Sequence, residues 1–353
     1  MINAKIVADS LSPQGHRITT MEVVFPRFIL AELNTHRMLS KNSASSRAIP
    51  FEKMVKSVQE NPFIPIAWQK HHKGMQGSEY KTGSSEIQLC INKWLDARDN
   101  AVQSAKLLNQ SELVTKQLCN RLLEPFMWHK VLITATEWSN FFELRCPLYS
   151  LYSPHGEHLF KSKKDAIEYF KGTGYNDDEI ENWTDLDWLQ INKGQSEIHM
   201  MQLAECMWDA MNESTPKQLK AGEWHIPYGD TINVLGDTDF KEDVLTKIKI
   251  ATARCARVSY TTVGEDSKEI PYEKDIALHD SLIASGHMSP TEHIARAMSD
   301  EEYYTFIRGK VDTYEPTRYS TVADLTINEV PGTEKLFGWC NNFRGFIQYR
   351  YMI

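Results

Sequence analysis

Apolar and polar positions alternate over residues 17–25, which are rich in β-branched side chains, and this predicts a strand. Pro26 follows where a helix can begin, and Phe28, Ile29, Glu32 and Leu33 continue at helical spacing. That helix is expected to end near His36. A short helix is predicted over 51–59, and a long helical stretch over 86–123 with a break near Asn109 and a stop at Pro125. Residues 131–145 run from a β-branched stretch through a polar turn to an apolar-aromatic patch that includes Phe141 and Phe142. Residues 196–211 place Ile198, Met201, Ala204 and Trp208 on one helical face. Two more helices are expected over 239–258 and 274–284. The Gly- and Ser-rich stretch 74–85 reads as a loop. Residues 149–193 differ in character, with Pro154, Gly156, Gly172, Gly174 and an acidic run over 177–187, and read as a surface insertion. No internal repeat stands out.

Composition narrows the function. The 353 residues are 41% hydrophobic and 24% charged, enough for a sizeable core. The net charge is −8, from 39 Lys and Arg against 47 Asp and Glu, which argues against wrapping a nucleic-acid backbone. No apolar run has membrane-spanning length, and residues 1–10 lack a signal-peptide profile. The six cysteines are scattered, without a Cys-x-x-Cys pair, so free thiols in a cytoplasmic, reducing compartment are expected.

Against this acidic background, residues 36–47 read His-Arg-Met-Leu-Ser-Lys-Asn-Ser-Ala-Ser-Ser-Arg. A segment with so many donors and so few apolar side chains is poor core material. It suits an anionic, oxygen-rich ligand such as a nucleotide. There is no Gly-x-Gly-x-x-Gly after a strand and no Gly-Lys-Ser/Thr phosphate loop.

Three other places concentrate chemistry: Arg121 with Asn140 and Arg145; residues 254–260, Arg-Cys-Ala-Arg-Val-Ser-Tyr; and residues 285–293, Ser-Gly-His-Met-Ser-Pro-Thr-Glu-His. Each has a plainer reading. A lone arginine usually forms a surface ion pair. Ser289 and Glu292 have the spacing of a helix-capping box. His155 and His158 lack acidic or cysteine partners at ligand spacing, so no metal is expected. Phe343, Arg344, Phe346, Tyr349 and Arg350 could stack a base, or pack on the core.

Taken together, these blocks resemble the flavin-dependent thymidylate synthases. That family carries Arg-His-Arg, seven residues, then Ser; here His36 and Arg37 precede Ser45 at that spacing, with Ser40, Asn42 and Arg47 in place. Ala256 to Tyr260 match its Ala-Arg-Val-Ser-Tyr. Gly286 to His293 match its Gly-His-x-Ser-Pro-x-Glu-His. Asn140, Leu144-Arg145 and Gln195-Ser196-Glu197-Ile198 match a fourth block. The block order is changed, as in a circular permutation. Thr35 replaces the first arginine, Ser43 a glutamate, Glu32 a glutamine, and Ser285 the first histidine.

The resemblance implies an α+β fold, a β-sheet flanked by long helices, in one permuted domain over 1–353 with 149–193 inserted. It implies methylation of dUMP to dTMP with FAD, NADPH and methylenetetrahydrofolate, in a homotetramer, without a cysteine nucleophile. By carry-over, Ser45 and Arg145 are the catalytic candidates. Glu32, Ser45, Arg47, Arg121 and Arg145 would bind the nucleotide, and His36, Arg37, Asn42, Asn140, Ser259, His287 and Ser289 would hold FAD. The replacements leave open a related C5 modification of another pyrimidine nucleotide, such as hydroxymethylation, or a non-catalytic nucleotide-binding relative.

Overall fold

The computed structural model describes residues 1–73, 77, 79–173, 180–234, 240–261, 263, 270–304 and 337–353. Parts of three expectations lie outside them: most of 74–78 in the loop, 174–179 in the acidic stretch, and Asp239 at a helix start.

The chain is mixed α+β. Strand β1 (Asn3–Leu11) turns back into β2 (Arg17–Pro26), the strand expected over 17–25. A single helical turn leads into the short α1 (Leu30–Asn34), then β3 (Ser40–Ser43) and α2 (Phe51–Glu60). Long α3 (Ser84–Gln110) and short α4 (Lys116–Arg121) follow. Pro125 does not end that helical run as expected. The expected break near Asn109 falls at Ser111–Glu112, where Glu112 adopts φ +55; the run resumes as α4 and stops at Arg121, and Pro125 lies in a separate turn, Glu124–Phe126. The β-branched run is β4 (Trp128–Ala135), and the aromatic patch is α5 (Ser139–Arg145).

Next come β5 (Tyr149–Ser153), β6 (Gly156–Phe160), α6 (Lys163–Thr173) and α7 (Asp185–Gln190). They enclose an apolar cluster of their own, around Tyr149, Leu151, Ala166 and Trp188. The chain continues through α8 (Ile198–Glu213), β7 (Lys217–Gln218), β8 (Trp224–His225), α9 (Phe240–Arg257) and α10 (Tyr272–Ala284). It ends with β9 (Ala295–Ala297), β10 (Trp339–Cys340), β11 (Phe343–Arg344) and β12 (Phe346–Gln348).

The main sheet runs β3-β4-β2-β1-β7, antiparallel except at β1/β7. Strand periodicity sends Met21, Val23, Phe25, Val131 and Ile133 to one face, against Leu203, Ala204 and Met207 of α8 and Phe141 of α5. The opposite face places Leu132 against Ile248, Ala251 and Cys255 of α9. Covered on both sides, β2 and β4 are the most buried strands of this sheet, and each fully buried large side chain contributes roughly 1.5–3 kcal/mol. Strand β3 forms the sheet's edge, which brings the polar segment 36–47 to the rim. No helix among the described residues is long and apolar enough to cross a membrane.

Candidate functional site

Strand β3 organises the site. It pairs with β4 in the register Ser40↔Thr134 and Asn42↔Leu132. Its ends lie roughly 10 Å apart at about 3.4 Å per residue. A different sequence block meets each end.

At the first end is Arg145, the last residue of α5. Its Nε donates to His36 Nε2 at 2.9 Å, its Nη1 to Ser196 Oγ at 3.2 Å, and its Nη2 to Thr35 Oγ1 at 3.4 Å. His36 packs edge-on against Phe141, with ring centroids 5.0 Å apart. To accept from Arg145, His36 must be neutral and carry its proton on Nδ1. Burial, then the Arg145 and Lys41 charges, lower the imidazole to about 4, in agreement with that role. Lys41 itself is lowered to about 8 by burial. Its Nζ donates to His36 O at 2.6 Å and Leu33 O at 3.4 Å, where a cation satisfies carbonyls at the end of α1.

At the second end, Asn42 Nδ2 donates to Cys255 O at 2.6 Å and Ser259 Oγ donates to Asn42 Oδ1 at 3.3 Å. The Ser45 amide donates to Ser259 O at 3.1 Å. These bonds tie the block at 256–260 to the polar segment. Arg257 within that block is structural: its guanidinium holds buried Asp275 of α10 at 2.8 Å, pinning α9 to α10. Beyond Ser45, buried Asn120 donates to Ser46 O at 2.9 Å and Ile49 O at 3.2 Å, so α4 fixes the loop that carries Ser45 and Arg47. Neither Asn120 nor Asp275 stood out in the sequence, because a lone Asn or Asp in a helical stretch carries no pattern.

The block at 285–293 owes its path to Gly286. The glycine adopts φ +74 after α10, its amide donates to Ile283 O, and the His287 amide donates to Leu282 O. This is a Schellman helix ending, which explains the glycine before His287. His287 and Ser289 are exposed, while His293 is fully buried. The expected capping box is absent: Met288 is the cap residue, no side-chain bond forms, and Glu292 instead pairs with Arg350.

His293 ends a chain of buried hydrogen bonds across the sheet. Its Nδ1 meets Thr134 Oγ1 at 2.8 Å, Thr134 meets Thr20 at 2.7 Å, Thr20 meets His225 Nε2 at 2.8 Å, and His225 Nδ1 meets Ser10 Oγ at 2.9 Å. Burial lowers both imidazoles to about 3, so they stay neutral.

The placement of the predicted residues is therefore uneven. His36 and Arg145 touch, and Asn42, Ser45 and Ser259 are joined. The side chains of Asn42 and Ser259 are engaged with each other rather than open. Arg37, Arg47, Asn140, His287 and Ser289 are exposed. Arg121 follows Asn120 at the end of α4, and its Nη1 sits 3.7 Å from Glu124, which also pairs with Arg27. Glu32 has one buried carboxylate oxygen without a hydrogen-bond partner among the described residues. Phe343 and Phe346 are fully buried and cannot stack on a base; packing claims them. Cys146 is buried and its thiol is pushed well up by desolvation, which removes it as a nucleophile.

Most of the arginines are paired with acids. Arg17, Arg27, Arg98, Arg121, Arg254, Arg257, Arg296 and Arg350 each have a carboxylate partner. Arg37, Lys41, Arg47 and Arg145, all on or against the polar segment, have none among the described residues.

Searches for related proteins return little. No family model matches the sequence, and no curated protein matches it significantly. Among solved structures, similarity is found to the UMP/dUMP methylase PolB from Streptomyces cacaoi. The form bound with 5-Br dUMP gives a TM-score of 0.39 at 13% identity, over 60% of this chain and 91% of that one. The form bound with 5-Br UMP gives 0.39 at 15% identity, over 60% and 89%. At this level of similarity, the residues of the site must carry the functional reading.

Proposed function

We propose that this chain is an enzyme that methylates C5 of a pyrimidine nucleotide, converting dUMP to dTMP with FAD, NADPH and methylenetetrahydrofolate. The observation that carries the reading is the gathering of cations without carboxylate partners among the described residues, Arg37, Lys41, Arg47 and Arg145, in a chain of net charge −8. An anionic ligand is the natural counterpart of such a rim. The four blocks that resemble flavin-dependent thymidylate synthases all meet the polar segment or the strands beside it, in spite of their changed order.

Arg145 is suited to the pyrimidine edge. A guanidinium has five N–H donors; three are engaged here, leaving two for a ring carbonyl. Polarising that carbonyl in a fixed orientation lowers the barrier to reaction at C5. Exposed Arg47, on the loop fixed by Asn120, is suited to the phosphate, and Ser45 shares that loop. Arg121 can join only if it leaves Glu124.

The donor set also fits FAD. Arg37, Asn140, His287 and Ser289 are exposed and have no side-chain partner among the described residues, as a ligand with a diphosphate and a polar ring requires. Asn42 and Ser259 would act by holding the loop. FAD, when bound, would supply the reducing equivalents, with the folate giving the carbon.

A second reading has its own support. Thr35, Ser43 and Glu32 replace residues usual in the family, and Thr35 here accepts a bond from Arg145 rather than adding a charge. These changes favour a related modification, such as hydroxymethylation, or a different pyrimidine. Homotetramer formation and a cytoplasmic setting complete the proposal. The free cysteines fit the latter, and exposed Leu107, Leu113, Leu118 and Leu122 on α3, α4 and the turns beside them fit the former.

The test is direct. The purified protein should take up FAD and show its absorption bands. With NADPH and methylenetetrahydrofolate it should turn dUMP, and not dCMP, into a product with the mass of dTMP. Hydroxymethylated product or turnover of dCMP would select the second reading. No FAD uptake and no product from either nucleotide would refute both.

A further inference from the structure

The module over 149–192 is rooted on both sides of Arg145's hydrogen bonds. Arg145 ends α5, four residues before β5 begins, and Ser196 follows the module's last described residues and precedes α8. At the roots, the Lys193 amide donates to Leu148 O at 2.8 Å and the Ser150 amide to Ile191 O at 3.0 Å. Asn192 Oδ1 accepts from the amides of Leu148 at 2.9 Å and Gly194 at 2.8 Å. Any Cβ at Gly194 would lie 2.7 Å from Met201 Sδ and 3.2 Å from Pro147 Cα, so the returning chain is closely confined. Immediately beyond Ser196, Glu197 caps α8 by accepting from the amides of His199 and Met200 at 2.8 and 3.0 Å. Ser196 is thus held between a tied neck and a capped helix start, and its hydroxyl meets Arg145 at 3.2 Å.

The groups that hold Arg145 share one property. His36, Thr35 and Ser196 are all neutral acceptors. A carboxylate in their place would orient the guanidinium and also cancel its charge, as Glu124 and Asp275 do for their arginines. Neutral acceptors fix direction and leave the charge available.

We infer that Ser196 is a positioning residue: with His36 and Thr35 it aims Arg145 at the ligand, and it is the bond through which the neck of the 149–192 module reaches the site. The ligand part of this inference rests on the proposed role of Arg145 at the pyrimidine edge; the aiming part does not.

The full-length protein is compared with Ser196→Ala, Ser196→Thr, Arg145→Ala and the double variant Ser196→Ala/Arg145→Ala. Measured are dUMP affinity, FAD uptake and, by NMR, solvent exchange of the Arg145 Nη1–H that meets Ser196. Loss of one hydrogen bond to a charged group should weaken dUMP binding by about tenfold in Ser196→Ala, while Ser196→Thr, which keeps the hydroxyl, stays within about twofold of wild type. FAD uptake should not change in the single Ser196 variants. In the Arg145→Ala background, Ser196→Ala should have no further effect on dUMP, which a merely structural serine would still produce. The Nη1–H should exchange faster in Ser196→Ala and at the wild-type rate in Ser196→Thr.

An unchanged exchange rate in Ser196→Ala overturns the inference, as does an equal loss of dUMP affinity with and without Arg145. If Arg145→Ala binds dUMP as well as wild type, the role of Arg145 at the pyrimidine is refuted instead, and the exchange rates still decide whether Ser196 aims it.

Discussion

Two polar clusters lie on neighbouring strands, and they have opposite characters. Thr134 of β4 belongs to the buried chain from Ser10 to His293, and its partner across the ladder is Ser40 of β3, on the segment that carries His36 and Arg47. The buried cluster is neutral throughout, and its imidazoles have lost their basicity to desolvation. The rim cluster keeps cations that pair with no carboxylate among the described residues. One step from sheet interior to edge therefore separates polar groups that hold the fold from polar groups free to hold a ligand. Both use histidine, but His293 anchors a loop, and His36 orients an arginine.

Acid should break the buried cluster with the largest effect. His225 and His293 of that cluster, and buried His129 of β4, which meets Arg27 at 2.8 Å, are lowered by burial to about 3, from an ordinary 6.5. Because the unfolded chain binds protons on these groups first, stability is intact above about pH 6.5 and is lost as pH falls toward 3. The slope is about 1.4 kcal/mol per pH unit for each histidine. Urea midpoints at pH 7 and pH 4.5 measure this, and equal midpoints would exclude buried neutral imidazoles.

Arg145→Ala should do the reverse. Removing a charged donor is expected to cost about 1.5–3 kcal/mol of nucleotide binding, roughly 10- to 100-fold. The urea midpoint should barely move, since no acid is left unpaired. A comparable loss of fold stability would place Arg145 with the structural group. Thr134→Val keeps shape but strands Thr20 and His293, so a loss of about 1–3 kcal/mol in unfolding free energy is expected; a neutral outcome would mean the chain of bonds contributes nothing. The smallest effect is expected from Asn120→Ala. It should cost about 1 kcal/mol of stability while weakening the ligand contacts proposed for the 45–47 loop. If binding stays intact, Asn120 holds only the fold.

Much of the framework was legible from periodicity. The helices at α2, α8, α9 and α10 and the strand at β2 lie within a few residues of their expected positions, because a one-sided apolar pattern survives in each. Strand β1 was not, since most of its positions are only partly covered and its alternation is weak. The polar segment 36–47 stood out for its composition, and the expectation that it avoids burial holds only in part: Leu39, Ser40, Asn42, Ala44 and Ser46 are buried, because pairing along β4 satisfies the backbone of β3. What escaped reading were the residues that act through a partner far away in sequence. Asn120, Asp275, Thr20, His225 and Ser196 are ordinary at their own positions and gain meaning only when the fold supplies the other atom. Thr35 is the clearest case. In the sequence it is a missing charge; in the fold its hydroxyl is one of the three groups that hold Arg145. Ser289 erred in the other direction, a good local capping signal overridden by the pull of Arg350 on Glu292.

The Leu148–Lys193 contact has a practical consequence. Backbone hydrogen bonds, Lys193 to Leu148 at 2.8 Å first among them, hold the outgoing and returning chain side by side there, so a compact foreign domain whose own termini are adjacent can be grafted at that point with short glycine connections. A fluorescent protein placed there would sit on a tether leading directly to the serine beside Arg145, converting changes at the rim into an optical signal.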